Sequence, residues 1–198
     1  MQALRELKSS AHSVLIRLGI DIRRPRPDRV MLEKTIFPYL LRRTDYKRIL
    51  FVGCAWYTQH YPWIFRDRDF TTLELCGDEA RFGTERHIVD SCEHVERHFE
   101  SESLDVIVFN GVFGCGLNER EACERTLNGF ARVLREDGLL IFGWNDLPQM
   151  KPFPPGELAA LKKFRPESLP PIGATKVQSS HKNKHVFQFF VKDGPLGD

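Results

Sequence analysis

Apolar residues recur at helical spacing over the first eighteen positions: Ala3, Leu4, Leu7, Ala11, Val14, Leu15 and Leu18 share one face, and Gly19 supplies a stop. DIRRPRPDR follows, with two prolines and four arginines, and predicts an extended linker. Asp28 is placed to cap a second helix with Met31, Leu32, Ile36, Leu40 and Leu41 on its buried side, and Pro38 kinks or limits that helix.

From Lys47 the rhythm changes to short apolar runs. RILFV, FTTLEL (70–75), RHIVDS (86–91) and LDVIVFNGV (104–112) read as four strands. Residues 119–137 read as a helix with Ala122, Leu127, Phe130, Val133 and Leu134 inward; Gly138 ends it, and LLIFGW (139–144) is a fifth strand. Residues 147–171 are rich in proline and predict a loop with one short helix near 156–164. The tail GATKVQSSHKNKHVFQFFVKD predicts a β-hairpin, with His181 and His185 flanking its turn as surface positions. Continuous apolar strands separated by helices indicate a parallel sheet covered on both faces. The expected architecture is a Rossmann-like, doubly wound α/β domain over residues 48–198. It has a mostly parallel seven-stranded sheet, a C-terminal β-hairpin and a helical N-terminal extension over residues 1–47.

In such a sheet a ligand lies outside the carboxyl ends of the strands, near the switch in strand order. Those ends carry Gly53, Cys54 and Ala55, then Glu74 and Leu75, then Asp90 and Ser91, then Asn110 and Gly111, and finally Trp144, Asn145 and Asp146. An acid ending the second strand can accept both hydroxyls of a ribose. Asp90 could equally cap a helix starting at Cys92. GCAWYT keeps only the first glycine of a dinucleotide fingerprint, and no GKS or GKT is present, so dinucleotide and P-loop chemistry are disfavoured. A nucleoside cofactor without phosphates fits better.

Composition changes this picture little. The chain has 198 residues and a net charge of +2. That charge hides an asymmetry: residues 1–48 carry twelve Lys/Arg against five Asp/Glu, and could touch an anionic surface weakly. Cys54, Cys76, Cys92, Cys115 and Cys123 show no CxxC spacing and read as buried free thiols in a reducing, cytoplasmic setting, with no metal site. No apolar run is long enough to span a membrane, and Glu6 argues against a signal peptide.

The sequence resembles the class I S-adenosylmethionine-dependent methyltransferases. ILFVGCAWY, LELCGDEARFG, HIVDSCEHVERHFESESLDVIVFNGVFGCG and RVLREDGLLIFGWND are similar to their successive motifs over residues 48–146. The resemblance implies S-adenosyl-L-methionine as cofactor. It implies that Gly53, Cys54 and Ala55 pass its methionine part, that Glu74 and Leu75 hold its ribose, that Asp90 and Ser91 lie near its adenine, and that Asn110 and Gly111 run beneath its sulfonium. The family's acid at the position of Phe51 and its glycines at those of Ala55 and Tyr57 are absent. Trp56, Tyr57, Tyr61, Trp63, Trp144 and Asn145 suggest an aromatic acceptor wall, with His60 or Asp146 as candidate bases. The expected function is methyl transfer to a small-molecule or glycan-type acceptor. Two alternatives stand beside it: a non-catalytic cofactor-binding or scaffolding domain, and a nucleic-acid methyltransferase, which the missing N-P-P-Y and the small net charge argue against.

Overall fold

The computed structural model describes residues 26–180 and 182–194; the expected helix over residues 3–18, and His181, lie outside them. Its strands are β1 (Arg48–Val52), β2 (Asp69–Glu74), β3 (His87–Val89), β4 (Leu104–Asn110), β5 (Leu134–Asn145), β6 (Phe164–Pro166), β7 (Lys176–Gln178) and β8 (His185–Lys192). They form one sheet in the order β3-β2-β1-β4-β5-β8-β6, with β7 also on β8. β1 to β5 pair in parallel, and β8 runs antiparallel to β5.

β6 and β7 occupy the same free edge of β8: Phe164 lies opposite Lys192, and Lys176 lies opposite Gln188. They are two pieces of one interrupted row, so eight strands fill seven positions. Pro170 and Pro171 cannot donate to a ladder, and the chain loops out there before Leu169 and Ala174 close the gap. The hairpin is β7 with β8. β6 falls within the proline-rich stretch expected to be loop, and the helix expected near 156–164 is two 3-10 turns, Pro155–Glu157 and Ala159–Lys163.

Alternation along the strands divides the core. Leu50, Val52, Ile107, Phe109, Leu140 and Phe142 face the helix Arg120–Val133, while Ile49, Phe51, Val106, Val108, Leu139 and Ile141 face the N-terminal segment. That segment is α1 (Pro27–Met31), a π-helical turn (Leu32–Ile36) and α2 (Phe37–Arg42), burying Leu32, Ile36, Phe37 and Leu40. The Phe37 N–H bonds the Leu32 carbonyl, five residues back. This wider turn precedes Pro38, whose ring would clash with the Lys34 carbonyl in a regular helix. Asp28 does not cap the helix: Arg26 holds the N-cap position without a side-chain bond, and Pro27 opens the helix. The next helix, α3 (Tyr61–Ile64), is a single turn, and its Tyr61 and Phe65 pack on Phe37 edge-to-face at 4.8 Å.

On the other face α4 (Arg120–Val133) buries Ala122, Cys123, Thr126, Leu127, Phe130 and Val133. It stops four residues before the expected Asp137. Leu134 is already extended and pairs with Leu104, so the sheet takes over that turn of helix and β5 is correspondingly long. Gly129 allows close packing, since a β-carbon there would come within 2.8 Å of Val95 Cγ1 on the 3-10 turn Cys92–Arg97.

Asp105 ties the amino ends of β1 and β4 together. It accepts the Lys47 and Arg48 backbone N–H groups at 2.9 and 2.8 Å, and the Arg48 and Arg135 guanidinium groups at 2.9 and 3.0 Å. These charged donors hold its carboxyl below the usual range although burial opposes them. Cys54, Cys92 and Cys123 are buried free thiols as expected, but Cys76 and Cys115 are exposed because they sit in loops beyond strand ends.

Candidate functional site

Strand order reverses between β1 and β4, and a cleft of about 580 Å³ opens at their carboxyl ends. Gly53 turns the chain out of β1 at φ +97°, a conformation that favours glycine. A β-carbon there would also stand 2.8 Å from Val112 Cγ2. Ala55 follows at φ −159°, an extended geometry open to any residue, so the glycine missing from this loop is not required by the backbone. Trp56–Thr58 form a 3-10 turn held by Thr58, whose Oγ1 accepts from the Ala55 N–H at 3.1 Å. Phe51, at the position of the absent acid, is buried against Tyr61 with ring centroids 5.2 Å apart.

Glu74 ends β2 at the cleft floor. Its Oε2 accepts the Cys54 N–H and its Oε1 the Cys76 N–H, each at 3.0 Å. One carboxylate therefore fixes the loops after both β1 and β2, and each oxygen keeps acceptor capacity for a further donor. Leu75 beside it is 66% exposed on the cleft lining.

Asp90 follows β3 and is engaged by its own segment. His94 Nδ1 and His98 Nε2 each lie 2.8 Å from its carboxylate, which also accepts the Ser91 N–H at 2.7 Å. The two imidazole hydrogen bonds hold its carboxyl well below the ordinary range. Ser91, not Asp90, caps the turn at Cys92 by accepting the Glu93 N–H.

The cleft brings together Gly53, Cys54, Glu74, Leu75, Asp90, Ser91, Asn110, Gly111, Tyr57, Tyr61 and Asn145. Ala55, Trp56, His60, Trp63, Trp144 and Asp146 are not on its lining. Trp144 points into the core, 3% exposed and 4.9 Å from the Phe142 ring, because alternation along β5 turns it away from Asn145. Trp63 is 70% exposed beneath the Arg66 guanidinium. His60 Nε2 lies 3.5 Å from Glu33 Oε1, and Asp146 pairs with Lys151 at 2.5 Å, which lowers its pKa.

Several lining residues escaped the sequence reading: Arg26, Asp28 and Arg29 from the start of α1, Cys115 from the loop after β4, and Asn183 and His185 from the hairpin. The Arg29 guanidinium stacks 4.5 Å over the Tyr57 ring. His185, expected at the surface, is 4% exposed. The signal for it was available: an antiparallel last strand begins where β5 ends, and His185 pairs directly with Asn145.

No family model and no curated protein matches the sequence. Solved structures match its fold. A TehB-like SAM-dependent methyltransferase from Corynebacterium glutamicum is 16% identical at a TM-score of 0.63, covering 98% of this chain and 100% of that one. The N-methyltransferase NodS from Bradyrhizobium japonicum, in complex with S-adenosyl-l-homocysteine, is 14% identical at 0.62, covering 92% and 100%. The 1,6-didemethyltoxoflavin-N1-methyltransferase of Burkholderia thailandensis, with 1,6-didemethyltoxoflavin and S-adenosylhomocysteine bound, is 12% identical at 0.55, covering 98% and 90%. The strand order, the switch-point cleft and these alignments together show that the chain has the Rossmann-like fold of the class I S-adenosylmethionine-dependent methyltransferases.

Proposed function

We propose that the protein is an S-adenosylmethionine-dependent methyltransferase acting on a small-molecule or glycan-type acceptor. The observation that carries this reading is Glu74 at the floor of the switch-point cleft, its oxygens open to further donors, with exposed Leu75 beside it. Glu74 would accept the ribose hydroxyls, Leu75 would cover a face of the adenine, and the positive-φ turn at Gly53 gives the cofactor's amino-acid part close approach to backbone. The cleft volume of about 580 Å³ lies within the usual range for small-molecule sites. S-adenosylmethionine, when bound, supplies an activated methyl group on a sulfonium.

The protein's part is then to align an acceptor and exclude water. Tyr57, Asn145, Asn183 and His185 line the cleft together with Arg26, Asp28 and Arg29, a polar surface suited to a compact acceptor. Among the described residues no helix is long and apolar enough to cross a membrane. The five free cysteines support a reducing, cytoplasmic setting.

Calorimetric titration with S-adenosylhomocysteine tests the reading. One saturable site per chain, weakened by Glu74→Ala, is expected; the absence of binding to the intact chain would overturn it. Incubation with methyl-labelled cofactor and an acceptor panel then separates an enzyme from a binding domain.

A further inference from the structure

The acceptor end of the cleft holds a chain of side-chain hydrogen bonds whose direction can be worked out. His185 Nδ1 lies 2.9 Å from Asn145 Oδ1, and its Nε2 lies 2.9 Å from Asn110 Oδ1. Asn183 Nδ2 donates to the same Asn145 oxygen at 3.0 Å. Burial pushes the imidazole pKa down to about 4, with the Asp28 carboxylate pulling the other way, so at neutral pH the ring carries one N–H. One N–H cannot donate to two carboxamide oxygens.

One asparagine therefore presents its NH2 group to the ring. Asn145 is held with its oxygen toward the ring, because that same oxygen also accepts from Asn183 Nδ2 at 3.0 Å. The proton thus sits on Nδ1 and is donated to Asn145. Nε2 accepts, and the carboxamide of Asn110 is turned with its nitrogen toward the ring; exchanging the two amide ends moves no other heavy atom. The chain reads Asn183 to Asn145, His185 to Asn145, Asn110 to His185. The end of the Asn110 carboxamide left over is its oxygen.

We propose that His185 is a positioning residue that fixes Asn110 with a carbonyl oxygen for the acceptor, so that the acceptor's nucleophile is a protic N–H or O–H group. This rests on the methyl-transfer reading of the cleft. A second acceptor group agrees with it. Asp28 lines the same cleft, and its Oδ1 is buried without a hydrogen-bond partner. A buried carboxylate oxygen without a donor, beside a carboxamide on the same lining, calls for a substrate that brings donors. Amines and hydroxyls do so; thiolates and carboxylates do not.

The room for this arrangement is built into β5. A β-carbon at Gly143 would overlap Asn110 Oδ1 and stand 3.0 Å from His185 Nε2. A glycine inside a strand marks such close approach.

The test uses the full chain labelled with 15N-histidine. Long-range 1H–15N spectra at pH 7 should show His185 neutral with its proton on Nδ1. A proton on Nε2, or a doubly protonated ring, overturns the inference even if S-adenosylhomocysteine binds, so its failure is distinct from failure of the proposed function. Asn110→Asp cannot donate to Nε2 and should raise the proton affinity of His185 about a hundredfold. An unchanged titration in that variant overturns the assignment; if the variant does not fold, the wild-type spectrum decides. With methyl-labelled cofactor, label on nitrogen or oxygen compounds supports the acceptor class and tells amine from hydroxyl. Label confined to thiols or carboxylates overturns it.

Discussion

The carboxylate of Glu74 and the backbone N–H of Cys54 meet at 3.0 Å across the ends of adjacent parallel strands. This bond makes a proposed ribose acceptor also the anchor of the loop after β1. Glu74→Ala should weaken S-adenosylhomocysteine binding by roughly 1.5–3 kcal/mol, the range for hydrogen bonds to a charged group. Glu74→Gln, which keeps one oxygen acceptor, should lose less. Calorimetry giving equal affinity for wild type and alanine variant would remove Glu74 from the site.

Gly143→Ala should disturb Asn110 and His185 together. Overpacking of a filled site costs about 1–3 kcal/mol, read as a shift in the urea midpoint. The His185 resonances should move in the same variant. A stable variant with an unchanged His185 spectrum would show that the glycine is not holding space for the carboxamide.

Acid should destabilise the fold in two windows. The His185 pKa falls from 6.5 in the unfolded chain to about 4 in the fold. Between those values the unfolded state takes up a proton that the native ring refuses. This contribution is intact above pH 6.5 and is lost as pH falls toward 4, by ~3 kcal/mol in all. Asp90 acts lower: its carboxyl is held down by His94 and His98, so its contribution is present above the ordinary carboxylate range and disappears below it. Urea unfolding of wild type and His185→Gln should differ in slope only in the upper window.

The two aromatic candidates should separate cleanly. Trp144→Ala removes a core side chain and should cost about 3–5 kcal/mol of stability. Tyr57→Ala, on the cleft lining, should leave the fold standing and lower turnover ~10–100-fold, with cofactor affinity changed far less. Equal effects of Tyr57→Ala on turnover and on cofactor affinity would place that ring on the cofactor instead.

The strands, their alternation and the long helix were legible in the sequence because each is set by local periodicity: Ile49 and Phe51 go to one face and Leu50 and Val52 to the other, whatever packs there. That Gly53, Glu74, Asp90 and Asn110 line one cleft was legible for a related reason, since a parallel sheet opens its cleft at strand ends and those ends can be read along the chain. Local patterns could not show that Leu134 joins the sheet instead of extending α4, because its partner Leu104 is thirty residues away. They could not send Trp144 into the core while its neighbour Asn145 reached the cleft, nor move Asp90 onto two histidines of its own turn. Above all they could not bring Asp28, Asn110, Asn145 and His185 to one cleft. Those residues come from the chain's two ends and its middle, and only closure of the whole sheet, with an antiparallel last strand beginning beside the end of β5, makes them neighbours.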